Sequence, residues 1–226
     1  MLMFASPAFT YQGPVTVSGL SSGGFMAAQM HVAFSDTIEG AAIFAGGPYY
    51  CAQGSVITAT TSCMATGLIT TSTLYSKIQS YAKSGSIDDY SNIADDKVFI
   101  LDGTNDHTVN PKVGKADQEL YEKLGAKIET DYTIKAGHGM PTLSTGVSCS
   151  TTASPYIKKF GYNGAYLSLN YLYRGDLVEG TTYDKSKIQK IAQKSEVGSS
   201  LGSHAYAYVP DACSNLDCAL HVVFHG

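Results

Sequence analysis

Apolar and polar positions along the chain switch repeatedly between a two-residue and a helical period. Residues 13–18 are a short β-branched run, followed by a Gly/Ser turn and then by apolar residues at helical spacing from Phe25 to Phe34. Residues 39–45 form a second apolar run that ends in Gly46-Gly47-Pro48. Residues 66–84 read as a helix with Leu68, Tyr75, Ile78 and Tyr81 toward one side. Residues 97–101 predict a strand, 113–124 a helix and 128–136 a strand; 155–173 reads as a helix weakened by Gly161 and Gly164. Two further strands are expected at 205–209 and 219–224. Continuous apolar strands alternating with helices predict an α/β fold with a mostly parallel sheet covered by helices on both faces.

The length of 226 residues suits a single domain over 1–226. With 44% apolar and 15% charged residues, the composition is globular. The net charge is −4 and the only arginine is Arg174, so the clustered cations of a nucleic-acid groove are missing. No apolar run approaches the ~18 residues of a membrane span. The first basic residue is Lys77, and only Asp36 and Glu39 precede it among acids. The leading third is therefore expected to be buried or surfaced by Ser, Thr and Tyr.

Five cysteines suit an oxidising, extracellular setting. Cys51/Cys63 and Cys213/Cys218 are the natural disulfide pairs, with buried free thiols as the alternative, and Cys149 is left over. A zinc site at Cys213, Cys218, His221 and His225 is disfavoured, because the two pairs lie too close for a finger and His221 and His225 share one strand face. No metal or cofactor is implied. The apolar stretch 1–9 lacks the basic n-region of a secretory signal, so a signal peptide is read as missing or incomplete. At the other end the chain stops at His225-Gly226, just after an apolar strand, and reads as incomplete there.

Gly19-Leu-Ser21-Ser-Gly23 matches the G-x-S-x-G nucleophile elbow, with a strand before it and a helix after it. A turn that sharp strains the backbone of its central Ser and leaves no room for side chains two residues away. Gly198-Ser-Ser200-Leu-Gly202 matches the same pattern, but it follows a polar stretch and leads into a strand. Ser21 is therefore the candidate nucleophile.

A serine hydroxyl needs a base and an orienting acid, which in this fold class follow in the order acid, then His. Asp106 stands just past the strand ending at Leu101, and His138 just past the apolar run ending at Ala136. Small residues on both sides of His138 are expected to give the imidazole room. Asp102 is the rival acid, although its place at the strand end suits it to holding the turn. His107, the rival base, is expected to face solvent, and His31 to be a packed histidine. The Ser22 N–H, at a helix N-terminus, is one oxyanion donor. Almost nothing precedes the elbow to supply the second, so strand 219–224 with His225-Gly226 is expected to stand in, which implies a circular permutation.

The segments 17–27 (Val-Ser-Gly-Leu-Ser-Ser-Gly-Gly-Phe-Met-Ala), 46–52, 106–109, 136–142, 154–157 and 208–226 together resemble the secreted poly(3-hydroxybutyrate) depolymerases with a circularly permuted α/β-hydrolase domain. The resemblance runs over nearly the whole chain, in the family's motif order. It implies a Ser21–Asp106–His138 triad, Ser22 as an oxyanion donor, and a polyester such as poly(3-hydroxybutyrate) or its oligomers as substrate. Three positions depart from the family pattern. The family's last motif continues His-Gly-Cys, with that Cys amide as second donor, whereas this chain stops at Gly226. Phe160 stands where the family tends to carry a Cys, which accounts for an unpaired Cys149, and Asn163 replaces an acidic residue. Two alternatives share these features: a carboxylesterase for other esters, and an inactive fragment binding polyester through Tyr49, Tyr50 and neighbours.

Overall fold

The computed structural model describes residues 13–180, 182–193, 202–214 and 218–226. Residues 14–177 with 220–226 form one compact unit, and a smaller one lies within residues 178–219. The larger unit is built on a five-stranded parallel sheet. Its strands are β1 (Val15–Leu20), β2 (Ile38–Phe44), β3 (Lys97–Leu101), β4 (Lys127–Asp131) and β10 (Leu220–Phe224), in the order β10-β1-β2-β3-β4. The last strand thus lies beside the first, with Val15 opposite Leu220 and Gly19 opposite Phe224. That is the position a strand preceding the elbow would occupy, as the permuted reading expects.

Alternation along the strands sorts side chains onto two faces. Ala41 and Ile43 of β2 and Val98 and Ile100 of β3 join Val15 and Val17 in one buried cluster. That cluster is closed by α1 (Ser22–Ala33), α3 (Thr71–Lys83) and α4 (Pro111–Leu124), which contribute Ala28, Leu74, Ile78, Leu120 and Leu124. Ala42, Phe44, Phe99 and Leu101 point the other way and pack with Leu172 of α5 (Gly164–Leu172). Both faces of the sheet are therefore covered, which is why its strands read as unbroken apolar runs.

Three expected elements take other forms. Residues 66–84 are not one helix. A short helix α2 (Val56–Thr60) runs into a π-helical turn (Thr61–Thr66), which stops at Gly67 with φ 64°, and α3 starts afresh after Thr70. Leu68, counted with the helix's apolar side, is 76% exposed. Strand β4 ends at Asp131, because the carbonyls of Ile134 and Ala136 accept from Thr104 and Asn105 of the loop after β3 instead of continuing a ladder. Within 155–173 the first part is β7 (Ile157–Lys159), which pairs in parallel with β5 (Met140–Thr142) and β6 (Val147–Ser148). The helix begins only at Gly164, once Gly161 has turned at φ 74° and the Asn163 side chain has capped the Tyr166 N–H.

In the smaller unit, β8 (Ile188–Ala192), which the apolar pattern did not reveal, pairs antiparallel with β9 (His204–Tyr208). Lys187 and Asp211 form an ion pair at 2.5 Å. Cys213 and Cys218 are disulfide-bonded, as are Cys51 and Cys63 in the larger unit, while Cys149 is free and packs in the same cluster as Phe160. The stretches 1–9 and 198–201, which carried the signal-peptide reading and most of the second G-x-S-x-G match, lie outside the described residues.

Candidate active site

Ser21 joins β1 to α1 with φ 58° and ψ −123°, a backbone state that only a tightly built surrounding holds for a residue with a side chain. Its N–H donates to the Phe44 carbonyl at 2.9 Å, and its hydroxyl makes no cap bond to the helix it precedes. The glycines on either side are packed against backbone. A Cβ on Gly19 would collide with the Gly23 carbonyl, and one on Gly23 with the Phe224 carbonyl. Ser22 is the first residue of α1, so its N–H is one of the unbonded donors at a helix start. The end of β10 reaches the same turn, since a Cβ on Gly226 would lie 3.3 Å from Ser21 Cβ.

Two strands away, the loop after β3 presents Asp106, which is 4% exposed. Its Oδ1 accepts from the Thr108 and Val109 N–H groups at 2.8 and 2.9 Å, and its Oδ2 lies 2.7 Å from His138 Nδ1. Three donors converge on one carboxyl and fix its orientation. The loop is laid against the His138 segment by Thr104 N–H to Ile134 O at 2.8 Å and Asn105 N–H to Ala136 O at 3.1 Å. Gly103 permits that approach, because a Cβ there would strike the Ala136 carbonyl.

Segment 150–158 forms the outer wall around His138. The Thr152 hydroxyl accepts from the His138 N–H at 3.2 Å, and the Tyr156 ring meets the imidazole edge-on at 6.3 Å. Lys158 is fully buried with its ammonium donating to the Thr151 carbonyl, and burial holds its pKa below the ordinary lysine value. Gly137 and Gly139 flank His138. Their missing side chains admit this wall, with Thr152 Oγ1 at 2.9 Å from a Cβ on Gly137 and the Tyr156 carbonyl at 2.5 Å from one on Gly139. Nothing in the spacing of Thr152, Tyr156 or Lys158 marks them, because the small β5–β7–β6 sheet that delivers them has strands of only two or three residues.

The structure thus brings Asp106 and His138 into direct contact, and sets Ser21 on the same carboxyl edge of the sheet. Among the described residues no hydrogen bond joins the Ser21 hydroxyl to the imidazole; in unliganded sites such bonds are often long or poorly aligned. His107 is exposed. His31 is fully buried between the Tyr121 hydroxyl and Asp96 Oδ2, each at 3.1 Å. Asp102 does not hold its turn through its side chain, which is fully buried against Gly114 of α4. The four residues of the disfavoured zinc reading are divided: Cys213 and Cys218 are joined to each other, and His221 is bonded to Thr16 and Ser18.

No family model matches the chain. A poly(3-hydroxybutyrate) depolymerase of Delftia acidovorans is 40% identical over 93% of this chain and 44% of its own length. A polyhydroxybutyrate depolymerase of Talaromyces funiculosus is 35% identical over 98% of this chain and 67% of its own. Among solved structures, a PHB depolymerase with a serine-to-alanine substitution, complexed with an R3HB trimer, superposes with a TM-score of 0.88. It is 34% identical and is matched over 97% of this chain and 71% of its own. The PHB depolymerase of Penicillium funiculosum superposes at 0.84, also at 34% identity, over 96% of this chain and 70% of its own. The chain spans less than half the length of the Delftia relative and two thirds of the Talaromyces one.

Proposed function

The chain belongs to the poly(3-hydroxybutyrate) depolymerase family, and from that premise we propose that it is a serine esterase cleaving poly(3-hydroxybutyrate) or its oligomers through an acyl-enzyme. The Ser21 hydroxyl oxygen attacks the ester carbonyl while His138 Nε2 takes its proton, and Asp106 holds Nδ1–H and offsets the charge of the imidazolium. The Ser22 N–H receives the negative charge on the former carbonyl oxygen. The C–O bond of the ester breaks, and the departing alcohol end takes the proton from His138. Water then attacks the acyl-Ser21 with His138 as base, which releases the carboxylic acid end and restores the hydroxyl.

The observation that carries this reading is the Asp106–His138 hydrogen bond on the sheet edge that also bears the strained Ser21. Two disulfides support an oxidising, extracellular working place. Among the described residues no helix is long and apolar enough to cross a membrane.

The test compares parent and Ser21→Ala protein on a poly(3-hydroxybutyrate) film and on a soluble aryl ester, with an active-serine phosphonate label as a third readout. Film hydrolysis and labelling that both vanish in Ser21→Ala support the reading. Aryl-ester turnover without release from the film would assign a carboxylesterase for other esters. A parent chain that binds the film but takes no label would be the inactive polyester-binding alternative.

A further inference from the structure

Three buried polar groups sit together behind the candidate acid with no hydrogen-bond partner among the described residues: both oxygens of Asp102, both of Asp117, and the hydroxyl of Tyr132. Asp102 and Asp117 are each 0% exposed. Their meeting is built into α4. Gly114 opens the helix face to the Asp102 carboxyl, whose Cγ would lie 2.8 Å from a Cβ there, and Asp117 follows one turn later on the same face. A buried carboxylate that accepts no hydrogen bond from the protein and is paired with no cation is strongly disfavoured, whereas a carboxylic acid is tolerated.

We propose that Asp102, buried near Asp117 beneath α4, is held as a protonated carboxylic acid, so that it adds no negative charge behind His138. The proposal rests on the esterase reading for its catalytic meaning, not for the protonation itself. Neighbouring carboxyls in one region are held in opposite states by their surroundings. Asp106 has three donors, while Asp102 has none among the described residues and carries the proton. Burial, together with the charges of Asp106 and Asp117, lifts the Asp102 pKa well above the carboxylate range, and burial does the same for Asp117.

The groups facing this pocket come from three elements. Asp106 lies on the same loop and connects to His138. Helix α4 supplies Asp117, Tyr121, Glu122 and Lys115, whose ammonium sits 5.8 Å from the Tyr132 ring centre. The segment after β4 supplies Tyr132. Lys158 is felt at Asp106 from the outer wall. An ionised Asp102 would add a second anion behind His138, stabilise the imidazolium, and leave the base protonated and idle to higher pH.

The test is the pH profile of kcat/KM on a soluble aryl ester for parent and Asp102→Asn, joined to infrared difference spectroscopy of protonated carboxyl groups near neutral pH. Replacing a neutral acid by a neutral amide changes no charge, so the acid limb of Asp102→Asn is expected to overlay the parent's. The parent is expected to show protonated-carboxyl C=O bands, with one lost in the variant. An acid limb displaced by about one pH unit to lower pH, the size expected from deleting a nearby anion, would overturn the proposal, as would a parent with no protonated-carboxyl band. If the chain hydrolyses no ester, the esterase reading fails and the infrared result alone decides the protonation. If Asp102→Asn does not fold, the parent spectrum and its change in Asp117→Asn decide it.

Discussion

Asp106 and His138 are joined through Oδ2 and Nδ1 at 2.7 Å, and the other oxygen of the same carboxyl is already committed to two backbone N–H groups. The carboxyl therefore cannot swing away without breaking its own loop, and Nδ1–H is held against it, which leaves Nε2 as the acceptor that the proposed mechanism needs. In Asp106→Asn the amide oxygen can serve the two loop N–H groups only with its NH₂ turned toward Nδ1, which reverses the tautomer. The expected result is a fall in kcat of about 10⁴-fold with KM little changed, read from aryl-ester kinetics and from slower phosphonate labelling of Ser21.

Gly23→Ala tests how closely the elbow is packed. The added Cβ would run into the Phe224 carbonyl, so backbone on one side or the other must shift. A loss of about 1–3 kcal/mol or more is expected by urea denaturation, with a parallel loss of activity. Gly54→Ala is the control, because open space surrounds that position and only its φ of 76° resists the change.

His221 gives a pH-dependent stability. Its two ring nitrogens meet Thr16 Oγ1 at 2.7 Å and Ser18 Oγ at 2.8 Å, and burial pushes its pKa from 6.5 down to about 4. Between those values the unfolded chain binds a proton that the native state refuses. The contribution is complete above pH 6.5 and is lost as pH falls toward 4, at up to about 1.4 kcal/mol per pH unit. Denaturation at a series of pH values should show that slope in the parent and a reduced one in His221→Gln.

Removing the Cys51–Cys63 disulfide, whose partners are 12 residues apart and both buried, frees a loop that meets the start of α4. The Asn110 N–H donates to the Met64 carbonyl at 2.8 Å, which ties this loop to the segment just after Asp106. A double Cys→Ala variant is expected to lose about 3 kcal/mol on the chain-entropy estimate, measured as a lowered denaturation midpoint. A reductant should lower the parent's midpoint by more than that variant's, which keeps only the Cys213–Cys218 disulfide.

Several of these relationships are local, and the amino-acid order alone determines them. Strand, Gly-x-Ser-x-Gly turn and helix are contiguous, so β1, Ser21 and α1 can be read directly, and the apolar runs of β2 and β3 announce a sheet covered on both faces. Asp106 and His138 could be named because each follows an apolar run at the place where loops leave the sheet. The pairing of Cys51 with Cys63 and of Cys213 with Cys218 also followed from short separations.

Tertiary structure decided what depends on partners far apart in sequence. The length of β4 was set by which carbonyls the Asp106 loop engages, and the start of α5 by the turn at Gly161 and the Asn163 cap, not by apolar spacing. The wall at Thr152, Tyr156 and Lys158 has no periodicity to betray it. Asp102 and Asp106, four residues apart and alike in chemistry, part company only through their neighbours: one meets three donors, the other a glycine gap and a second acid. Periodicity records which way a side chain faces; whether a carboxyl keeps its charge depends on what the rest of the chain brings to it.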